Sequence, residues 1–241
     1  MKKKWVNLAL SSVILGGALF SSLGAGNSIV RADDLKTPTV VQNFTDIGGH
    51  WAATQVEKWN ARGVVQGDHG KFEPDRALTR AEWVALINRA FQLPNVKSSQ
   101  FSDVQETDWY ASEIQSAVAA GYIEGYEDGQ FKPTANLSRE QAAVTLAKLL
   151  KLKQDNTVSV SFNDVDQISG WSKSSVYAAV NSGLMRGYAS QEFHPKDHLT
   201  RAEAIVMLDR AIDLNGAWYG EAGVYGPDQG EEVLKQEGNV I

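Results

Sequence analysis

The stretch Leu78-Thr79-Arg80-Ala81-Glu82 decides the fold, because close variants of it return as Leu137-Ser138-Arg139-Glu140-Gln141 and Leu199-Thr200-Arg201-Ala202-Glu203. In each copy a hydroxyl residue precedes an apolar periodic run, and Glu or Gln follows three positions later. That is the capping-box pattern of a helix N-terminus. Arg80, Arg139 and Arg201 then fall at the first helical position, beside unpaired backbone N–H groups and the positive end of the helix macrodipole. A cation gains nothing there and is mildly unfavourable, by about 0.3–1 kcal/mol. Three such arginines imply either a structural carboxylate partner or an external anion. A guanidinium fork beside helix N–H groups predicts a carboxylate or phosphate site.

Working outward from that motif, the same landmarks recur in the same order. Phe44-Thr45-Asp46-Ile47 matches Phe101-Ser102-Asp103-Val104 and Phe162-Asn163-Asp164-Val165, with the leading phenylalanines 57 and 61 residues apart. Trp51, Trp109 and Trp171 follow, each before an amphipathic run. Paired glycines end the run: Gly63 and Gly67, Gly121 and Gly125, Gly183 and Gly187. Phe72-Glu73-Pro74, Phe131-Lys132-Pro133 and Phe193-His194-Pro195 then lead into the arginine helix. A period of this length signals an array of supersecondary units, with repeats over 44–93, 101–152 and 162–214.

One repeat reads as helix, glycine loop, helix. Ala52, Val56 and Trp59 share a face of the first helix, as do Ala111, Ile114 and Val118, and Val176, Ala179 and Val180. Gly63, Gly121 and Gly183 fit the left-handed position that ends a helix. In the arginine helix Val84, Ile87 and Phe91 form the apolar face, matched by Ala143, Leu146 and Leu150, and by Ile205, Leu208 and Ile212. Two helices of about three turns leave too much apolar surface wet. The three repeats must therefore pack together, and the expected fold is mainly α-helical, one body with a pseudo-threefold arrangement.

The ends of the chain differ in character from the repeats. Met1-Lys2-Lys3-Lys4, an apolar run from about Leu8 to Leu23 and Val30-Arg31-Ala32 describe a secretory signal peptide over 1–32. Residues 33–43 read as a linker and 215–241 as a tail. Cleavage after Ala32 removes four of the 23 basic residues and none of the 29 acidic ones, which takes the formal charge from -6 to -10. So acidic a surface does not suit nucleic acid, and no membrane partner is expected after cleavage. With no cysteine, disulfides and thiolate metal sites are excluded.

The recurring residues are the candidate site, each with a structural alternative. Arg80, Arg139 and Arg201 are the anion-binding candidates. Asp46, Asp103 and Asp164 fit a turn in which a carboxylate accepts backbone N–H bonds, and equally fit pairing with an arginine or touching a ligand. Trp51, Trp109 and Trp171 suit core anchors better than ring-stacking platforms, yet both roles stand. Gly67, Gly125 and Gly187 resemble phosphate cradles superficially, but no Gly-Lys-Ser/Thr follows them. Close approach explains them better. The histidines His50, His69, His194 and His198 do not recur, no nucleophile elbow is present, and neither an enzyme nor a cofactor is expected.

On these residues the chain resembles the S-layer homology (SLH) family, whose shared features are Phe-x-Asp, a tryptophan opening the first helix, paired glycines, Phe-x-Pro and Thr-Arg-Ala-Glu. The resemblance covers 44–214 in three copies. It implies noncovalent attachment of an exported protein to the bacterial cell wall, through a secondary cell-wall polysaccharide carrying pyruvate ketals. It also implies ligand grooves between neighbouring modules, with the motif arginine facing the acidic sugar. The alternative is a structural or assembly protein of the cell surface, using the same repeats for self-association or for contacts with surface-layer partners. Three departures from the pattern stand out. Gln141 replaces the acid of the box, the first loop is one residue shorter and lacks the aromatic found as Tyr126 and Tyr188, and Asp166 to Gly170 lengthen the approach to Trp171.

Overall fold

The capping boxes form as the sequence predicts. In a computed structural model, residues 41–96, 101–154, 156–158 and 161–215 are described. The expected signal peptide, most of the linker and the tail from 216 onward lie outside them. Thr79 and Ser138 each accept the N3 backbone N–H, while the Glu82 and Gln141 side chains accept the cap's own N–H. Thr200 and Glu203 repeat that exchange at 2.9 and 3.2 Å.

Six α-helices result among the described residues: α1 (Ala53–Ala61), α2 (Arg80–Ala90), α3 (Ala111–Ala119), α4 (Arg139–Leu149), α5 (Lys173–Asn181) and α6 (Arg201–Asn215). The lengthened approach to Trp171 begins in a 3-10 turn at Val165–Gln167. The first helix of each repeat ends at Gly63, Gly121 or Gly183, with φ of 71°, 76° and 74°, a conformation that costs glycine no Cβ clash. The predicted helix faces are buried, with Val118, Phe91 and Leu150 only partly covered.

The helix pairs run between repeats. α2 packs on α3, α4 on α5, and α6 returns to α1, so the second helix of each repeat covers the first helix of the next, cyclically. Apolar periodicity identifies a face but cannot name the helix that covers it. The closing pair has its own core, in which Val56 and Trp59 meet Ile205 and Val206. Burying one such side chain is worth about 1.5–3 kcal/mol. Trp59 Nε1 also donates to Asp209 at 2.9 Å.

Around the pseudo-threefold axis the motif leucines join in a ring of backbone bonds. Leu78 N–H donates to Leu199 C=O at 2.8 Å, Leu199 to Leu137 at 2.8 Å and Leu137 to Leu78 at 2.9 Å. The same contacts overturn one expectation. Arg80 and Ala81 donate their N–H groups to the Ala135 and Pro133 carbonyls at 2.9 and 3.0 Å. Arg139 and Glu140 donate to Asp197 and Pro195, and Arg201 and Ala202 to Arg76 and Pro74. The first amides of each arginine helix are spent on the neighbouring repeat, so an anion cannot use them. All described residues fall in one compact unit.

Candidate functional site

Each motif arginine leaves its own repeat and reaches the glycine loop of the next. Arg80 Nε donates to Phe131 C=O at 2.9 Å and Nη2 to Glu124 C=O at 3.2 Å. Arg139 meets Phe193 and Arg186 C=O, both at 2.9 Å. Arg201 meets Phe72 C=O at 2.7 Å and Gln66 C=O at 2.9 Å. The guanidinium carbons lie over the Phe131, Phe193 and Phe72 rings at 4.6, 5.1 and 4.6 Å. Tyr126 faces Arg80 at 4.8 Å and Tyr188 faces Arg139 at 4.6 Å. The shorter first loop offers Arg201 no such tyrosine, as the departure at that position implies. The three arginines thus mark three inter-repeat junctions, where loop carbonyls hold two guanidinium nitrogens of each, and the third nitrogen of Arg139 and of Arg201 meets a glutamate.

Burial lowers the pKa of Arg80, which Tyr126 and Asp103 partly offset. Burial and then Arg76 lower that of Arg201, with Glu82 opposing. Guanidinium remains charged regardless. Burial likewise raises the Tyr188 hydroxyl, which donates to Glu203 at 2.6 Å.

Asp46, Asp103 and Asp164 do not meet the arginines. Each carboxylate accepts two backbone N–H bonds from the Phe-x-Pro turn of its own repeat: Asp46 from Phe72 and Glu73 at 2.8 and 2.7 Å, Asp103 from Phe131 and Lys132 at 2.8 and 2.7 Å, Asp164 from Phe193 and His194 at 2.8 Å each. The second residue of each turn has φ near 60°, at 58°, 59° and 54°, and the aspartate holds it there. These side chains shape the loop that the arginine reads.

Gly67, Gly125 and Gly187 serve the same loop by close approach. A Cβ at Gly125 would collide with the Phe101 ring and stand 2.9 Å from Gln130 O, and the other two face Phe44 and Phe162 in the same way. They are contact points for the phenylalanine that opens each repeat, with no phosphate cradle.

The tryptophans correct the preference for core anchors. Trp109 and Trp171 are 58% and 60% exposed, while Trp51 is half-buried and lines a cleft of about 820 Å³ with Arg139, Tyr188, His194, His198 and Glu203. Among the described residues the buried tryptophans are Trp59 and Trp83. An aromatic placed just before a helix start sits at the rim of the helix, outside the core.

These grooves, loops and capping boxes fall within residues 43–82, 100–143 and 161–205, each of which matches the S-layer homology domain. The chain belongs to the SLH family. Similar proteins include an exoglucanase, XynX, of Acetivibrio thermocellus, 34% identical over 80% of this chain and 18% of its own length. The surface-layer 125 kDa protein of Lysinibacillus sphaericus is 28% identical over 82% of this chain and 17% of its own. The cellulosome-anchoring protein of Acetivibrio thermocellus is 28% identical over 61% and 35%. The chain therefore spans only a minor part of these relatives.

Some features of the SLH grooves were not read from the sequence. The loop carbonyls that hold each arginine leave no residue-type signal. The acids beside the arginines are the capping glutamates of the next repeat, Glu82 and Glu203. The aromatic at a fixed offset after the second glycine was the available clue to stacking. Glu140, at an alanine position in the other two copies, is buried and accepts from Ser169 N–H at 3.0 Å, Ser172 Oγ at 2.8 Å and Lys196 Nζ at 2.5 Å. It ties the second motif to the lengthened approach of the third repeat.

Proposed function

We propose that this chain anchors an exported protein noncovalently to the bacterial cell wall, by holding an acidic secondary cell-wall polysaccharide whose charge comes from pyruvate ketals. One observation carries the reading: a guanidinium held rigidly between neighbouring repeats by two loop carbonyls, which leaves its third nitrogen to meet a carboxylate, as it meets Glu203 at Arg139 and Glu82 at Arg201. Helix amides take no part, and the arginine supplies the charge. Rim tryptophans and Tyr126 or Tyr188 supply apolar faces for the sugar ring.

Proteins with names as different as an exoglucanase, a surface-layer protein and a cellulosome-anchoring protein share these repeats. No one reaction runs through these names, and one of them is an anchoring protein, so the module is read as non-enzymatic. Several grooves on one body add avidity along a polymer that can span them.

Co-sedimentation of the chain with purified walls, before and after pyruvate is removed, tests the reading. Binding is expected to fall when pyruvate goes. Equal binding would reject the carboxylate, and self-association without wall binding would favour the assembly alternative.

A further inference from the structure

The three grooves share a backbone frame but differ at the third guanidinium nitrogen. Arg139 Nη1 is 2.8 Å from Glu203, and Arg201 Nη1 is 3.5 Å from Glu82, which Arg76 also holds at 2.5 Å. In both cases the acid is the N3 residue of the capping box in the repeat whose loop the arginine reads. The corresponding residue for Arg80 is Gln141, a neutral amide whose Nε2 is 3.3 Å from the Tyr126 hydroxyl. Among the described residues no carboxylate forms an ion pair with Arg80, although it is only 5% exposed. Asp103, the acid that acts on it from a distance, is spent on the Phe131 and Lys132 amides.

The surrounding charges run the same way. Beside Arg80 the Phe-x-Pro turn supplies Lys132, whose Nζ lies 4.2 Å from the Tyr126 ring centre and 3.1 Å from Asp128. That position is Glu73 near Arg201 and His194 near Arg139. His194 sits 3.2 Å from Glu192 and 3.1 Å from Asp197, so the cleft beside Arg139 is also rich in acids. Room and charge select different grooves. For an anion charge decides, because a buried cation without a counter-ion is held at a cost that a ligand carboxylate removes.

We infer that the groove around Arg80 is the one that takes the carboxylate of an acidic sugar, and that Gln141 opens it. In the other two grooves Glu203 and Glu82 occupy the place of the ligand's carboxylate. This rests on the acidic-glycan reading above. The exchange of acid for amide costs the helix little, since Gln141 Oε1 still accepts the Ser138 N–H at 3.0 Å.

The test is calorimetric titration of the full chain with a methyl hexoside bearing a 4,6-pyruvate ketal. Gln141→Glu, which copies the acid of the other two grooves, is expected to weaken binding by about tenfold or more. Glu203→Gln, which opens the Arg139 groove, is expected to add a second site. Gln141→Glu binding as tightly as the parent would overturn the assignment, as would loss of binding in Arg139→Ala or Arg201→Ala with Gln141→Glu unaffected. Arg80→Ala should abolish binding, and a melting curve checks that it folds. Because Arg80→Ala can fail to fold, Gln141→Glu carries the decision. Wall binding that needs pyruvate but ignores Gln141→Glu rejects the groove assignment alone, whereas pyruvate-independent wall binding rejects the acidic-glycan reading together with it.

Discussion

Leu78 donates its backbone N–H to the carbonyl of Leu199 at 2.8 Å, across 121 positions of chain, and so closes the three repeats into a ring. Leu137 completes the circuit, and α1 against α6 seals the outside. Because each helix pair joins two repeats, no repeat can leave without uncovering a neighbour. The Leu78, Leu137 and Leu199 amides are therefore expected to exchange hydrogen only through global unfolding. Native-state hydrogen exchange checks this. Fast exchange at Leu78 and Leu199, with Leu137 protected, would mean that the ring opens at its ends.

Gly125→Ala is expected to destabilise the protein by about 1–3 kcal/mol, the usual cost of overpacking. Its Cβ would drive into Phe101, whose ring packs 5.4 Å from that of Phe131. Since Arg80 reads the Phe131 carbonyl, the disturbance reaches the groove. Urea titration measures the loss, and an unchanged midpoint would show that the loop yields freely.

Asp164→Ala removes the acceptor of the Phe193 and His194 amides. A buried donor left unpaired costs about 1–3 kcal/mol. The same denaturation measurement applies. Phe193 C=O would lose its fixed position, so weaker sugar binding in the Arg139 groove of a Glu203→Gln background should accompany the loss of stability.

Glu140 gives the pH dependence a definite sign. Burial alone would raise its pKa, but Lys196, Ser169 and Ser172 bring it below the ordinary value of 4.5. A depressed folded-state pKa means that the carboxylate's contribution is present in full above the unfolded-state value and is lost as pH falls through the folded one. The parent protein should therefore lose stability below about pH 4.5 more steeply than Glu140→Gln, which at neutral pH is less stable by about 1–3 kcal/mol. Denaturation midpoints between pH 3 and 7 measure both, and parallel profiles would remove Glu140 from the account.

Much of this was legible in the chain because it is local. A cap, a left-handed glycine and an apolar face are set within about one helical turn, and Thr79, Gly63 and Val56 behave as their neighbours dictate. What escaped depends on distance along the chain. Nothing around Arg80 announces that its partners are the Phe131 and Glu124 carbonyls, and nothing around Glu140 points to Ser169, 29 residues away. Trp109 and Trp171 misled for a different reason. Their bulk suggests a core, but a position just outside a helix start places them at a rim. The asymmetry at Gln141 was visible as a departure, and its meaning required knowing which arginine it faces.

Recognition of a wall sugar's carboxylate by a buried motif arginine is open to a crystal structure of the chain with the pyruvylated methyl hexoside. The carboxylate is expected within hydrogen-bonding distance of Arg80 Nη1, with the sugar ring against Tyr126. A sugar seated away from all three of Arg80, Arg139 and Arg201 would contradict it.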